Sequence, residues 1–189
     1  MVGVDEVGRG SWAGPLLVVA AKAFTDLPEG LTDSKLLSRS QREELFIKLQ
    51  KNCNFGEGWV SSVEIDAEGL AHALKLGVSR ALNALKTEVH EDILLDGKVN
   101  YAPAEFAKTI CRVNADLDYA IVSAASVYAK VVRDAFMREL AKVHPQYGFE
   151  HHVGYGSALH RDALSKFGIL TGVHRLTFEP VRVLFETNL

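Results

Sequence analysis

Residues 16–24, Leu-Leu-Val-Val-Ala-Ala-Lys-Ala-Phe, form an apolar run broken only by Lys22. A run of this length and composition fits a largely buried strand, and such a strand needs partners in a sheet and a layer packed over it. Residues 1–5 supply a shorter candidate strand, joined to the first by a glycine-rich loop. Ser40-Gln41-Arg42-Glu43 has the S-x-x-E spacing of a capping box, and Leu45, Phe46 and Leu49 continue one helical face. Residues 59–65 read as a strand, after which Leu70, Ala73, Leu74, Gly77, Ala81, Leu82 and Leu85 recur at helical spacing. Ile93-Leu94-Leu95 is a short buried strand ending at Asp96-Gly97, and residues 107–113 are the next strand. Residues 121–140 read as a long helix whose Ala124, Ala125 and Ala129 permit close packing. From Tyr147 onward the pattern is helical, with loops rich in glycine, histidine and arginine. Strands alternating with helices predict an α/β layered sheet.

A chain of 189 residues is long enough for one domain with a proper core. We assign residues 1–145 to that core and residues 146–189 to a helical and loop part of the same domain. No apolar run approaches 18 residues, and no basic segment leads into an apolar one at the N-terminus. The expectation is a cytoplasmic protein with neither signal peptide nor membrane span. Cys53 and Cys111 form no CxxC pair and read as reduced, buried thiols. A net charge of −3 argues against indiscriminate binding to nucleic acid but leaves room for a local basic face.

Chemistry enters at Gly3-Val4-Asp5-Glu6-Val7-Gly8-Arg9-Gly10. Two adjacent carboxylates offer hard oxygen ligands to a divalent cation. The glycines that follow let backbone amides approach an anion, and Arg9 can fork onto phosphate. Asp96 and Asp116 are two further acids at a strand end or just before a helix, where an α/β sheet gathers its site residues. Four carboxylates converging from three segments repel one another unless cations lie between them, which fits paired ions about 3.5–4 Å apart. Read plainly, the same acids are turn residues and helix caps. Asp118 is near enough in sequence to stand in for Asp116.

With these residues in place, the chain resembles the type 2 ribonucleases H, specifically ribonuclease HII. Gly3 to Gly10 with Ala13-Gly14-Pro15 is similar to that family's opening motif. Asp33-Ser34-Lys35 resembles the second block and Leu95-Asp96-Gly97 the third. Asp116, six residues before Val122-Ser123-Ala124-Ala125-Ser126-Val127-Tyr128-Ala129-Lys130, resembles the fourth acid and its following block, which favours it over Asp118. Tyr147-Gly148-Phe149, Gly154-Tyr155-Gly156 and His174-Arg175 resemble the closing motifs. Two positions depart from the pattern: Ala115 stands where a glycine often precedes the fourth acid, and Val153 where a lysine often precedes Gly-Tyr-Gly.

The resemblance implies a ribonuclease H-like fold, a central mixed sheet flanked by helices with a small helical C-terminal part. It implies Mg²⁺- or Mn²⁺-dependent hydrolysis of the phosphodiester 5′ of a ribonucleotide, giving 3′-hydroxyl and 5′-phosphate ends. The substrates would be RNA–DNA hybrids and single ribonucleotides embedded in duplex DNA. Asp5, Glu6, Asp96 and Asp116 would hold a two-ion centre. The Gly8-Arg9-Gly10 backbone would read the ribose 2′-hydroxyl, Tyr155 would stack on the sugar of the following deoxynucleotide, and Ser34 and Lys35 would contact substrate. A non-catalytic nucleic-acid-binding protein with the same fold is the alternative, disfavoured because all four acids are present. A small-molecule phosphatase does not fit a resemblance running the length of the chain. The absence of a G-x-x-x-x-G-K-[ST] loop argues against an NTPase.

The remaining candidates carry less. Lys130 and Arg133 read as surface cations able to reach phosphate, with Arg133 and Asp134 a candidate ion pair on the long helix. His151-His152 lacks a third zinc ligand at suitable spacing. His174 beside Arg175 could shape the substrate edge. Ser34, Ser123 and Ser126 have no nucleophile setting. Trp12 and Trp59 read as packing residues. A monomer is expected, and residues 185–189 carry no sliding-clamp motif.

Overall fold

A computed structural model describes residues 1–32 and 34–186. Asp33 of the second motif block and residues 187–189 lie outside that set. Five strands form one mixed sheet: β1 (Val2–Val7), β2 (Leu16–Ala23), β3 (Cys53–Val60), β4 (Ile93–Asp96) and β5 (Thr109–Arg112), in the order β3-β2-β1-β4-β5. β1 is antiparallel to β2, pairing Gly3 with Ala21 and Asp5 with Val19. It is parallel to β4, pairing Val4 with Leu95, and β4 is parallel to β5, pairing Asp96 with Arg112. The first six residues of β2 are buried without alternation, as its apolar run requires.

The helices are α1 (Arg39–Leu49), α2 (Ser62–Glu68), α3 (Leu70–Leu85), α4 (Ala115–Asp118), α5 (Ala120–Val143), α6 (Phe149–His152), α7 (Ala158–Phe167) and α8 (Glu179–Glu186). Two expectations fail locally. The N-cap of α1 is Ser38, whose hydroxyl accepts the Gln41 N–H while the Gln41 side chain accepts the Ser38 N–H. The capping box thus lies two residues before the S-x-x-E expected from Ser40, with glutamine serving as well as glutamate. Residues 59–65 are not a strand: β3 ends at Val60, and Ser61 with Glu64 makes a second capping box that starts α2. No helix among the described residues is long and apolar enough to cross a membrane.

Contacts divide the chain into two compact units. The first comprises residues 1–7, 17–59 and 74–131. Within it Leu45, Leu49, Cys53, Ala124 and Val127 form a buried cluster, joined by Leu27, Leu31, Leu37 and Phe55. The Tyr128 ring stacks on Phe55 with centroids 4.0 Å apart, and its hydroxyl donates to Glu57 at 2.8 Å. Here α3 meets β3 backbone to backbone. A Cβ at Gly58 would fall 1.9 Å from the Gly77 carbonyl oxygen, and one at Gly56 2.2 Å from that of Ala81. Only glycine permits this approach. Cys53 is buried and Cys111 half-buried on β5, both as free thiols.

The second unit comprises residues 8–16, 60–73 and 132 onward. Its core gathers Ala13, Met137, Ala141, Tyr147, Phe149, Ala163, Leu164 and Val181, with Trp12 packed against it. The rings of Tyr147 and Phe149 stack at 5.5 Å. The Asp66 carboxylate accepts the N–H groups of Leu176 and Thr177 at 2.8 and 2.9 Å, tying α2 to the segment before α8.

Candidate active site

β1 continues through both adjacent acids, so Asp5 and Glu6 leave the strand in opposite directions. Asp5 is buried and Glu6 half-buried. Since Val4 pairs with Leu95 in parallel register, Asp5 and Asp96 lie side by side at the ends of neighbouring strands. Asp5 Oδ1 accepts the Glu6 N–H at 2.8 Å. Its carboxyl is pushed up to about 8, first by burial and then by the charges of Glu6 and Asp96. The opposing influence is a hydrogen bond from Ser126, which favours the charged form. Ser126 also bonds Ser34, Oγ to Oγ at 2.9 Å, so buried Ser34 reaches Asp5 through a second hydroxyl. Lys35, next to it, is exposed.

The third segment returns to the same place. After β5, Asn114 adopts a left-handed conformation and starts α4, and the Ala115 N–H donates to Asp96 Oδ1 at 2.8 Å. Asp116 follows directly and is buried, whereas Asp118 is exposed. The Asp116 carbonyl accepts the Ser123 hydroxyl at 2.5 Å, anchoring the turn to the start of α5. A residue that fixes Asp96 through its backbone N–H needs no particular side chain, so Ala115 fills the position where the family pattern often has glycine. Among the described residues no three ligating side chains are grouped as one ion's shell. The donor chemistry nevertheless suits a hard divalent cation, because every acid here is a carboxylate. A cation would also offset the burial and the charges of Glu6 and Asp96 that push the Asp5 carboxyl up.

In the second unit the glycine-rich loop wraps two buried arginines. Arg133 is fully buried and donates from Nε to the Pro15 carbonyl at 2.8 Å, from Nη1 to Val153 at 2.9 Å and from Nη2 to the Ser11 hydroxyl at 2.9 Å. It is neither a surface cation nor primarily the partner of Asp134. Arg175, equally buried, donates from Nη1 to the Arg9 carbonyl at 2.9 Å and from Nη2 to that of Gly14 at 2.9 Å. Burial and the neighbouring Arg133 push the Arg175 guanidinium down to about 9. Gly8, at φ +85°, is required: a Cβ there would meet Arg133 Nε at 2.2 Å. Its N–H donates to the Tyr155 hydroxyl at 3.2 Å. Gly10 is exposed, and a Cβ there would meet nothing within 4 Å. Val153 is held at φ +45°, a conformation costly for a β-branched side chain.

Three histidines are buried: His152, His160 and His174. The Leu170 N–H donates to His174 Nδ1 at 2.9 Å, which places the His174 proton on Nε2. That proton donates to His160 Nε2 at 3.1 Å, so the His160 proton sits on Nδ1 and donates to the Tyr155 carbonyl at 3.0 Å. Burial pushes His160 down to about 4; burial and then His160 push His174 down to about 3. Both rings are therefore neutral, with one tautomer each. The ring of Trp12, 5.6 Å from that of His160, is part of this packing. The burial of Ser126, Arg133 and Arg175 was not legible in the sequence, since serine and arginine are ordinarily exposed and only tertiary contacts reveal it.

The family described as Ribonuclease HII matches residues 2–181. A ribonuclease HII from Jannaschia sp. is 41% identical over 184 residues, 96% of this chain and 90% of the relative. Among solved structures, the Archaeoglobus fulgidus ribonuclease HII in its complex with PCNA superposes with a TM-score of 0.78 at 27% identity, covering 97% of this chain and 95% of that one. A Bst ribonuclease HIII solved with Mn²⁺ shares the fold at a TM-score of 0.73 and 19% identity, over 98% of this chain and 69% of that one. The fold is accordingly ribonuclease H-like, and the chain belongs to the ribonuclease HII family of metal-dependent endoribonucleases that hydrolyse phosphodiester bonds.

Proposed function

We propose that the chain cuts the phosphodiester 5′ of a ribonucleotide, both in RNA–DNA hybrids and at single ribonucleotides within duplex DNA, leaving 3′-hydroxyl and 5′-phosphate ends. The observation that carries this reading is the pairing of a mutually repelling acid cluster, Asp5 with Glu6 and Asp96, with a glycine loop that begins two residues after Glu6. Asp5, Glu6, Asp96 and Asp116 would hold two Mg²⁺ or Mn²⁺ ions, which supply an activated water and charge stabilisation at the leaving oxygen. Ser126, backed by Ser34, keeps Asp5 oriented and favours its ionised form. The Gly8-Arg9-Gly10 backbone reads the 2′-hydroxyl and Tyr155 stacks on the next sugar. Lys35 contacts the backbone phosphates, and residues 146–189 contribute to substrate binding within the one domain. Gly10 supports this: nothing inside the protein requires a glycine there, so its missing side chain is explained by the close approach of a ligand. The protein acts as a cytoplasmic monomer in this reading.

The test is an end-labelled DNA duplex containing one ribonucleotide, incubated with Mg²⁺, Mn²⁺ or EDTA beside an all-DNA duplex and the Asp96→Asn variant. A single metal-dependent cut 5′ of the ribonucleotide, lost in the variant, is expected. Cleavage of the all-DNA duplex, or activity surviving in EDTA, would overturn the reading.

A further inference from the structure

Apart from that of Arg9, the amides from Gly8 to Pro15 divide into those with a partner inside the protein and one without. Gly8 N–H donates to the Tyr155 hydroxyl, Ser11 N–H to Gly8 O, Trp12 and Ala13 N–H to Gly154 O, and Gly14 N–H to Val173 O. Pro15 has none. The Gly10 N–H has no partner among the described residues. Its direction follows from the peptide before it. There is no cis bond among the described residues, and in a trans peptide the carbonyl and the next N–H point opposite ways. The Arg9 carbonyl is drawn onto Nη1 of the buried Arg175 at 2.9 Å, so the Gly10 N–H faces away from it. The same guanidinium grips the Gly14 carbonyl through both Nε and Nη2, at 3.1 and 2.9 Å, which fixes its orientation as a planar fork. No carboxylate takes part in these bonds.

We infer that Arg175 is a positioning residue for ribose recognition: by holding the Arg9 and Gly14 carbonyls inward, it aims the Gly10 N–H outward as a donor to the 2′-hydroxyl oxygen. This deepens the proposed function and rests on it. Arg175 never touches substrate. It removes from the loop the alternative in which the Arg9–Gly10 peptide turns over and hides the donor. A lysine carries one point of attachment and cannot hold two carbonyls in a fixed plane, so charge alone does not replace the fork.

The experiment compares affinities for two duplexes of one sequence, with and without a single ribonucleotide, by fluorescence anisotropy in EDTA so that nothing is cut. The proteins are wild type, Arg175→Lys and Arg175→Ala, each checked for its melting temperature. The expected result is a preference for the ribonucleotide duplex that falls roughly tenfold in both variants, the scale of one lost hydrogen bond. Affinity for the all-DNA duplex stays near wild type, and methylguanidinium, but not an equal concentration of sodium chloride, restores the preference in Arg175→Ala. A folded variant with the wild-type preference, or an equal loss on both duplexes without rescue, overturns the inference. If neither variant folds, the wild-type Gly10 amide resonance decides. A shift caused by the ribonucleotide duplex and not by the all-DNA duplex supports the inference, and identical shifts overturn it. A wild type that neither cuts nor prefers the ribonucleotide would instead remove the proposed function itself.

Discussion

The Tyr155 hydroxyl accepts the Gly8 N–H at 3.2 Å, so the aromatic ring and the glycine loop are joined before any substrate arrives. Tyr155→Phe removes that acceptor while keeping the ring beneath Arg133. With 37% of the residue exposed, water can replace the lost partner and the melting temperature should hardly change. The kcat/KM for a duplex with one ribonucleotide should fall about three- to tenfold, the scale of one hydrogen bond. The loss should be smaller on a long RNA–DNA hybrid, where no single junction is selected. Equal losses on both substrates would show that Tyr155 has no part in junction choice.

Asp5 ties stability to pH in a direction unusual for a carboxylate. Its folded value of about 8 lies well above the ~3.9 of an unfolded chain, so between those values the folded state keeps a proton that the unfolded state has lost. Metal-free protein should therefore lose stability as pH rises from about 4 to about 8. Asp5→Asn should raise the melting temperature at pH 8 by several degrees while abolishing cleavage. Millimolar Mg²⁺ should stabilise the wild type at pH 8 more than at pH 6, because the ion competes with fewer protons. A scanning-calorimetry series over pH, with and without Mg²⁺, decides the matter; a variant melting below wild type at pH 8 would contradict it.

Gly8 and Gly10 should separate stability from selectivity. Gly8→Ala forces a Cβ into Arg133 at a positive φ and should lower the melting temperature markedly. Gly10→Ala meets no protein atom and should melt as the wild type does, yet lose most cleavage at a ribonucleotide. Parallel melting and cleavage assays on the pair are sufficient. A Gly10→Ala variant with full activity would mean that no ligand approaches that backbone.

The buried histidine pair predicts acid lability. His160 and His174 titrate at about 4 and about 3 when folded and near 6.5 when unfolded, so the unfolded state binds protons first as pH falls. Stability from this source is present above pH ~6.5 and drains away toward pH 3–4. The slope of unfolding free energy against pH, from denaturant titrations at closely spaced pH values, should be positive in this window for wild type. It should be shallower for His174→Gln, which cannot take up the proton. An unchanged slope in that variant would place the acid sensitivity elsewhere.

β1, β2 and β4 were legible because they are apolar runs, two of them carrying acids, a pattern that survives any packing arrangement; β3, with Asn54, Glu57 and two glycines, carries no such run and was not. Asp5, Glu6 and Asp96 could be found from the same pattern. The resemblance favours Asp116 over Asp118, and the two differ in burial, because an α4 turn puts the first inside and the second out. The strand expected at residues 59–65 failed because valine and isoleucine there suit a strand face and an amphipathic turn alike, while Ser61-x-x-Glu64 is a start signal. The arginine-held loop was hidden for a different reason. Its acceptors are backbone carbonyls, which leave no trace in side-chain chemistry.

The seam between α3 and β3 has its own consequence for motion. Where Gly56 and Gly58 admit the carbonyls of Ala81 and Gly77, helix and strand touch backbone to backbone, with the Arg80 guanidinium donating across to the Trp59 carbonyl. So close a backbone contact is lost at the first separation of helix from strand, which ties local opening here to loss of the α3 packing. Amide protons on β3 opposite these residues should thus exchange with solvent only when the whole unit unfolds, which makes this seam a clock for global opening rather than a site of local breathing.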